Sequence, residues 1–190
     1  MATGPLAFCY ESGLAKVLVT GGERVTRELV LAAASGDRGA FGRLYESFAR
    51  MVHGILLARV PFDVAEDLTQ DVFIQAMRKL PSLRDPEAFG GWLAMIARNR
   101  AHDFHRDSKP TGELKENSAS QEPPSPEAVR VFELVRSLPE AYRETLILRL
   151  AEGMTGPEIA ERTGLTPDSV RVNLHRGMKM LREKLGWEPQ

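Results

Sequence analysis

Residues 156–176 read Gly156-Pro157-Glu158-Ile159-Ala160-Glu161-Arg162-Thr163-Gly164-Leu165-Thr166-Pro167-Asp168-Ser169-Val170-Arg171-Val172-Asn173-Leu174-His175-Arg176. Ala160 is small where two helices must approach closely. Gly164, four residues on, permits the left-handed backbone of a tight turn, and Val170 seals the junction. Ile159, Leu165 and Leu174 complete a small core. Thr155 and Glu158 stand at capping-box spacing, and Thr166 before Pro167 reads as a second cap with a first-turn proline. The pattern predicts a helix-turn-helix, whose second helix enters the major groove of duplex DNA. Arg171, Arg176 and Lys179 can reach phosphates or guanine edges from that helix. Thr166, Ser169, Asn173 and His175 complete the candidate DNA contacts. The plainer alternative is a helical hairpin with a solvated basic face. The agreement of caps, glycine turn and charge favours the DNA-binding reading.

Outward from this stretch the apolar spacing stays helical, and no convincing strand appears. Toward the N-terminus, Pro139 starts a helix through Tyr142, Leu146, Ile147 and Leu150, with Gly153 as its stop. Ser125-Pro126 starts another through Val129, Phe132 and Val135. The final helix runs to about Leu185. Between Asp107 and Pro126 the pattern dissolves: those 20 residues hold 4 Pro and 4 Ser, with only Leu114 and Ala119 apolar. This composition predicts a flexible linker.

Before the linker, Ala40, Phe41, Leu44, Tyr45, Phe48, Met51, Val52, Ile55 and Leu56 follow one helical stripe, with Asp37 as its cap. A second helix is expected to start at Asp63, with Glu66 three residues later, and to run through Val64, Leu68, Val72, Phe73, Ala76, Met77 and Leu80 to Pro81. After the loop Ser82-Leu83-Arg84, Asp85-Pro86 reads as cap and first-turn proline of a helix reaching about Arg106. Phe89, Leu93, Ile96 and Ala97 mark its inner face, with Trp92 beside it. The expected fold is all-α: two small helical domains, a bundle and a helix-turn-helix domain, joined by a flexible linker. The divisions are an N-terminal extension 1–25, a first domain 26–106, the linker 107–125 and a second domain 126–186.

Composition agrees with a globular protein. The chain has 190 residues, 43% hydrophobic and 27% charged, with 25 Lys plus Arg against 26 Asp plus Glu. That excludes full disorder and a uniformly basic surface. The one cysteine, Cys9, excludes an internal disulfide framework and any zinc site with two thiolates from one chain. Neutrality comes from patches that cancel. Residues 63–71 carry Asp63, Glu66, Asp67 and Asp71 with no base, whereas residues 171–184 carry five bases against Glu183 alone. No apolar run approaches the ~20 residues that cross a bilayer. Met1 to Ala15 has no early basic cluster and does not read as a secretory signal, so the expected location is the cytoplasm, without membrane insertion.

A resemblance gives these patterns a meaning. Leu138-Pro139-Glu140-x-Tyr142-Arg143-Glu144, Leu146-x-Leu148-Arg149, Glu152-Gly153, Glu158-Ile159-Ala160, Ser169-Val170-Arg171 and Leu174-His175-Arg176 resemble the C-terminal DNA-reading domain of bacterial sigma factors of the sigma-70 family. The likeness is to the extracytoplasmic-function (ECF) group in particular. Asn173 and Met178 depart from the pattern, which has Arg at both places; Asn can still read adenine. Response regulators share such a helix-turn-helix but begin with an alternating βα domain, and nothing here alternates. Instead Asp37-x-x-Ala40-Phe41-x-x-Leu44-Tyr45, then Ala65-Glu66-Asp67-Leu68-Thr69-Gln70-Asp71-Val72-Phe73, then Phe89-x-x-Trp92-Leu93-x-x-Ile96-Ala97-Arg98-Asn99-x-x-x-Asp103-x-x-Arg106 resemble the sigma N-terminal domain in order. The likeness covers about Leu29 to Arg106 and Pro126 to Leu185.

The resemblance implies partners. The acidic segment would dock on the beta-prime clamp helices of the RNA polymerase core. Asp67, Gln70 and Asp71 stand at i, i+3 and i+4 and share one helical face, with Leu68 and Phe73 as expected apolar anchors. The next helix and the loop before it would capture the melted minus-ten element through Arg84, Trp92, Arg98, Asn99, His102 and Arg106, by stacking and backbone charge. The last helix would read the minus-thirty-five element. An anti-sigma protein is a further implied partner. Plainer readings are a solvated acidic face, a core tryptophan, and structural roles for Asn99 and Asp103. The carboxylates at 63–71 could hold a hard cation, but no nucleophile or histidine completes a site. His102 and His105 lack a third ligand nearby, and His53, among apolar residues, reads as a packed histidine. No catalytic residue, metal or cofactor is assigned. The rival from another class is a stand-alone helix-turn-helix regulator, which binds duplex DNA by itself.

The first 25 residues are rich in small residues and fit neither domain. The expectation is a translation start downstream, near Val19 or Val25, with valine at a misread start codon. Intact-mass measurement of the natively expressed protein tests this. A mass that includes Met1 to Leu18 overturns it.

Overall fold

The computed structural model of the chain describes residues 22–107 and 126–186. Among these residues there is no strand. The first domain comprises α1 (Gly22–Ala34), α2 (Arg38–Leu57), α3 (Phe62–Lys79) and α4 (Phe89–Asp107). The second comprises α5 (Pro126–Arg136), α6 (Glu140–Leu150), α7 (Gly156–Thr163) and α8 (Pro167–Leu185). The expected boundary at residue 26 falls inside α1. Cys9 and the linker beyond Asp107 lie outside the described residues, as does the N-terminal extension before Gly22.

Helix α2 is the spine of the first domain. The Asp37 side chain accepts a hydrogen bond from the backbone N–H of Ala40 at 3.0 Å, which satisfies one orphan donor of the first turn. Ala40, Leu44, Phe48, Met51, Val52, Ile55 and Leu56 are all buried. Helices α1, α3 and α4 pack around them. Phe89 stacks edge-on against Phe48 with ring centroids 5.1 Å apart, which pins the start of α4 to the spine.

Two helix starts differ from the sequence reading. Asp63 does not cap α3: the N-cap is Pro61, without a side-chain hydrogen bond, and Asp63 lies in the first turn. Proline's fixed φ turns the chain into the helix two residues early. Asp63 still places negative charge at the positive end of the helix. Asp85 does cap, accepting from the backbone N–H of Glu87 at 3.0 Å, but Pro86–Ala88 forms a 3-10 turn before α4 begins at Phe89.

The second domain follows its sequence pattern closely. Thr155 and Glu158 form a complete capping box: the Thr155 backbone N–H donates to Glu158 Oε2 at 2.7 Å, and the Glu158 N–H donates to Thr155 Oγ1 at 3.4 Å. Gly164 takes φ 74°, the left-handed turn between the two motif helices. Thr166 then caps α8 by accepting from the Ser169 N–H at 3.2 Å. Ile159, Ala160 and Val170 are buried at the junction. Helix α6 is buried over five consecutive residues, Glu144–Leu148, so neighbours surround it on all sides.

That burial has a cause the linker composition does not suggest. The two domains pack on each other, α6 against α2 and α7 against α4, and one hydrophobic core runs through both. Glycines mark the closest approach. A Cβ on Gly54 would lie 2.7 Å from Leu148 Cδ2, and one on Gly90 would lie 2.6 Å from the carbonyl oxygen of Arg162. A glycine inside a helix costs about 1 kcal/mol relative to alanine; here the space it leaves admits the other domain.

Thr155→Ala removes the hydroxyl half of the capping box and should lower unfolding stability by about 1 kcal/mol. Urea denaturation followed by circular dichroism measures it; an unchanged midpoint and slope would contradict a structural role for the box.

Candidate nucleic-acid interface

On α8 the candidate DNA contacts form an open surface. Thr166, Ser169, Arg171, His175, Arg176 and Lys179 are exposed, and Asn173 is half-buried. The buried side of the helix carries Val170, Gly177 and Leu181. Helix α8 packs on α5, α6 and α7 of its own domain, which leaves the side carrying the bases to solvent. Arg171 Nη2 lies 3.2 Å from Asp168 Oδ1, with both side chains more than three-quarters exposed. Such a pair contributes little to stability, so a phosphate can take the guanidinium at small cost.

On α3, Asp67, Gln70 and Asp71 are exposed on one face, as their spacing requires. Asp71 Oδ2 pairs with Arg100 Nη2 of α4 at 2.8 Å. Leu68 and Phe73 are not exposed anchors: only 4% and 3% of each is accessible. Phe73 packs under Tyr45, with ring centroids 4.6 Å apart, and edge-on to Phe41 at 6.3 Å. Period alone does not tell which apolar residues of a broad stripe turn inward. The apolar side chains that α3 does present are Ile74 and Met77.

On α4 the candidates divide. Asn99, His102 and Arg106 are exposed. Arg106 pairs within its own turn, with Asp103 at 3.0 Å. Arg84, before the helix, is exposed. Trp92 is half-buried beside Phe89, with ring centroids 5.8 Å apart, so it also packs on the core. Arg98 turns toward the second domain instead. Its Nε and Nη2 donate to Glu144 Oε2 and Oε1 at 3.0 and 2.7 Å, a two-pronged grip.

Glu144 is the centre of a cluster that sequence reasoning missed. Its side chain is 6% exposed, and Arg59 Nη2 of the first domain lies 2.8 Å from Oε2. Burial pushes the Glu144 carboxyl up, but the Arg98 hydrogen bond and the charges of Arg59 and Arg98 outweigh it, so the group is held below the ordinary glutamate range. Around this cluster, His53 Nδ1 meets Glu152 Oε1 at 2.9 Å. Arg136 of α5 donates to the carbonyl oxygens of Leu57 and Val60 at the end of α2. Arg162 donates to the Ser47 carbonyl and lies over the Phe48 ring, 5.6 Å from its centroid. Partners so far apart in sequence leave no local pattern. The readable signals were glycines inside helical stripes and a charge beside an apolar run in α6.

Among the described residues no three His, Cys, Asp or Glu side chains converge on a point where a metal ion could be held. No helix among them is long and apolar enough to cross a membrane.

Because the folded chain holds the Glu144 carboxyl below its unfolded value of about 4.3, the unfolded chain takes up the proton first as pH falls. The cluster's contribution is therefore complete above that value and is lost as pH drops through the lower folded value. Acid-unfolding titrations of the wild type and Glu144→Gln should show a smaller pH dependence below about pH 5 in the variant. Superimposable slopes would remove this assignment.

Two family descriptions match the chain in order: Sigma-70 region 2 over residues 44–111, and Sigma-70, region 4 over residues 128–181. The first coincides with the helices that carry the acidic face and α4, the second with the helix-turn-helix domain. The chain is 34% identical over 169 residues to the protein named "Probable RNA polymerase sigma factor RfaY" of Xanthomonas campestris, covering 80% of this chain and spanning 42% of the length of that relative. It is 31% identical over 181 residues to the ECF RNA polymerase sigma factor SigD of Mycobacterium tuberculosis, covering 86% of this chain and 85% of SigD. The solved structure of CnrH in complex with the cytosolic domain of CnrY superposes with a TM-score of 0.62 at 27% identity, covering 87% of this chain and 99% of that one. The match to region 2 favours this family over a stand-alone helix-turn-helix regulator, which needs no such domain. The chain belongs to the extracytoplasmic-function group of RNA polymerase sigma factors.

Proposed function

We propose that this chain binds the RNA polymerase core, directs it to promoters carrying separated minus-ten and minus-thirty-five elements, and helps to melt the minus-ten element. The observation that carries this reading is the pairing, in one chain, of an exposed acidic face on α3 with an exposed basic recognition helix α8. Asp67, Gln70 and Asp71 dock on the beta-prime clamp helices. Ile74 and Met77 are the accessible apolar contacts in place of the buried Leu68 and Phe73, which hold the docking helix in place. Thr166, Ser169, Arg171, Asn173, His175, Arg176 and Lys179 meet the minus-thirty-five duplex in its major groove. Arg84, Trp92, Arg98, Asn99, His102 and Arg106 take the melted minus-ten strand, where stacking of about 1–3 kcal/mol per base offsets unpairing.

The domain division behind this reading is region 2 at 26–106, linker 107–125 and region 4 at 126–186. A linker that lets both domains engage at once means that each needs only modest affinity. With net charge -1 and a single basic helix, the protein alone binds promoter DNA weakly, because phosphate neutralisation drives most of that affinity. The factor itself performs no chemistry; catalysis belongs to the polymerase, and no cofactor or metal is required. It acts in the cytoplasm. CnrH is held by the cytosolic domain of CnrY, and an anti-sigma partner of that kind fits this chain as well.

Purified protein mixed with sigma-free bacterial core polymerase over a pool of genomic promoter fragments tests the proposal. RNA starts that depend on the protein and share two spaced motifs are expected. Nanomolar duplex binding by the protein alone, with no added starts, would instead return the stand-alone regulator. Two substitutions separate the surfaces. Arg176→Ala should lower transcription from minus-thirty-five-dependent promoters by about 5- to 150-fold while core binding is unchanged. Asp67→Lys should weaken core binding by about tenfold or more while the intrinsic DNA contacts of α8 are retained.

A further inference from the structure

The packing of the two domains has a consequence for promoter binding. Minus-ten and minus-thirty-five elements stand about 25 base pairs apart by name, on the order of 85 Å at about 3.4 Å per step. Domains in direct contact cannot straddle that distance. The contact also occupies a residue that the minus-ten reading requires, because Arg98 cannot grip a DNA phosphate while both prongs of its guanidinium hold Glu144.

The interface has the features of a built contact. Glu144 is buried between Arg59 and Arg98. Gly90 has no room for a methyl group against the Arg162 backbone, and Gly54 has none against Leu148. The faces needed earlier in initiation lie elsewhere. Helix α3 packs only within its own domain, and the basic side of α8 is open.

We propose that the free protein rests in this closed, self-masked state, held by the Arg59–Glu144–Arg98 cluster and the close approach at Gly54 and Gly90, and that promoter engagement requires the domains to part. Polymerase can grasp the acidic face of α3 while the protein is closed; opening then frees Arg98 and lets α8 reach its own element. The masking of Arg98 rests on the minus-ten reading of α4, but the closed state itself does not.

Spin labels at Lys79→Cys and Lys184→Cys, in a Cys9→Ser background, report the distance between domains in the full chain by double electron–electron resonance. The free wild type should give one short, narrow distance, and added core polymerase should shift it to a long one. Gly90→Ala, whose alanine suits a helix but meets the Arg162 backbone, and Glu144→Gln should each raise the open-to-closed ratio by about tenfold or more in the free protein. Gly42→Ala, with nothing near its Cβ, should leave the distance unchanged. A broad, long distance in the free wild type overturns the proposal, as does a short distance that persists with polymerase bound. Indifference of the distance to both Gly90→Ala and Glu144→Gln would also overturn it. If the distances behave as stated but Arg98→Ala leaves minus-ten melting intact, the closed state stands and the role of Arg98 in strand capture fails instead.

Discussion

A carboxylate withdrawn from water must be met by cations and donors, or it becomes protonated. Glu144 meets that requirement only because α2 and α4 of the other domain bring Arg59 and Arg98 to its two oxygens. The rest of the interface follows from this arrangement. For Arg98 to reach across, α4 must lie against α7, and that approach leaves no space for a side chain at Gly90. For Arg59 to reach across, α6 must lie on α2, and Gly54 is flat there for the same reason. The Arg136 side chain of α5, which caps the end of α2, closes the far edge.

A buried cluster of this kind contributes direction more than net stability, since desolvation offsets much of the attraction. It fixes one relative placement of the domains among the many that apolar surface alone would allow. The shared core supplies the attraction; Phe62 of α3 and Phe132 of α5, with ring centroids 6.3 Å apart, belong to it. The apolar contacts reward closeness and the ions choose the register.

The exposed charges behave differently. Arg171 with Asp168 and Arg106 with Asp103 are pairs three residues apart on a single helix. Each is solvated, weak and readily exchanged for a phosphate. The protein thus keeps its costly ion cluster between domains and its easily released ones on the surfaces proposed to meet DNA. That division suits a factor that must hold together when free and let go of its own contacts on a promoter.

Local order was legible in the sequence because it is set by neighbours a few residues away. The Thr155–Glu158 capping box, the left-handed Gly164, the Thr166 cap and the stripe along α2 were all readable, since spacing and side-chain chemistry decide them. So was the family, because motifs of both domains occur in order. The start of α3 was misread, because Pro61 and the side chain of Asp63 compete over two residues and both fit the pattern. Leu68 and Phe73 were misplaced, because a broad apolar stripe does not say which members its own core absorbs. Glu144 and Arg98 lie on opposite sides of a linker without pattern, and no period relates residues 46 positions apart. Sequence by itself determined the helices, their caps and the two recognition faces, for those are short-range matters. Only the tertiary structure decided that the domains close on each other, because that depends on two arginines and a carboxylate meeting in a space that glycines leave open.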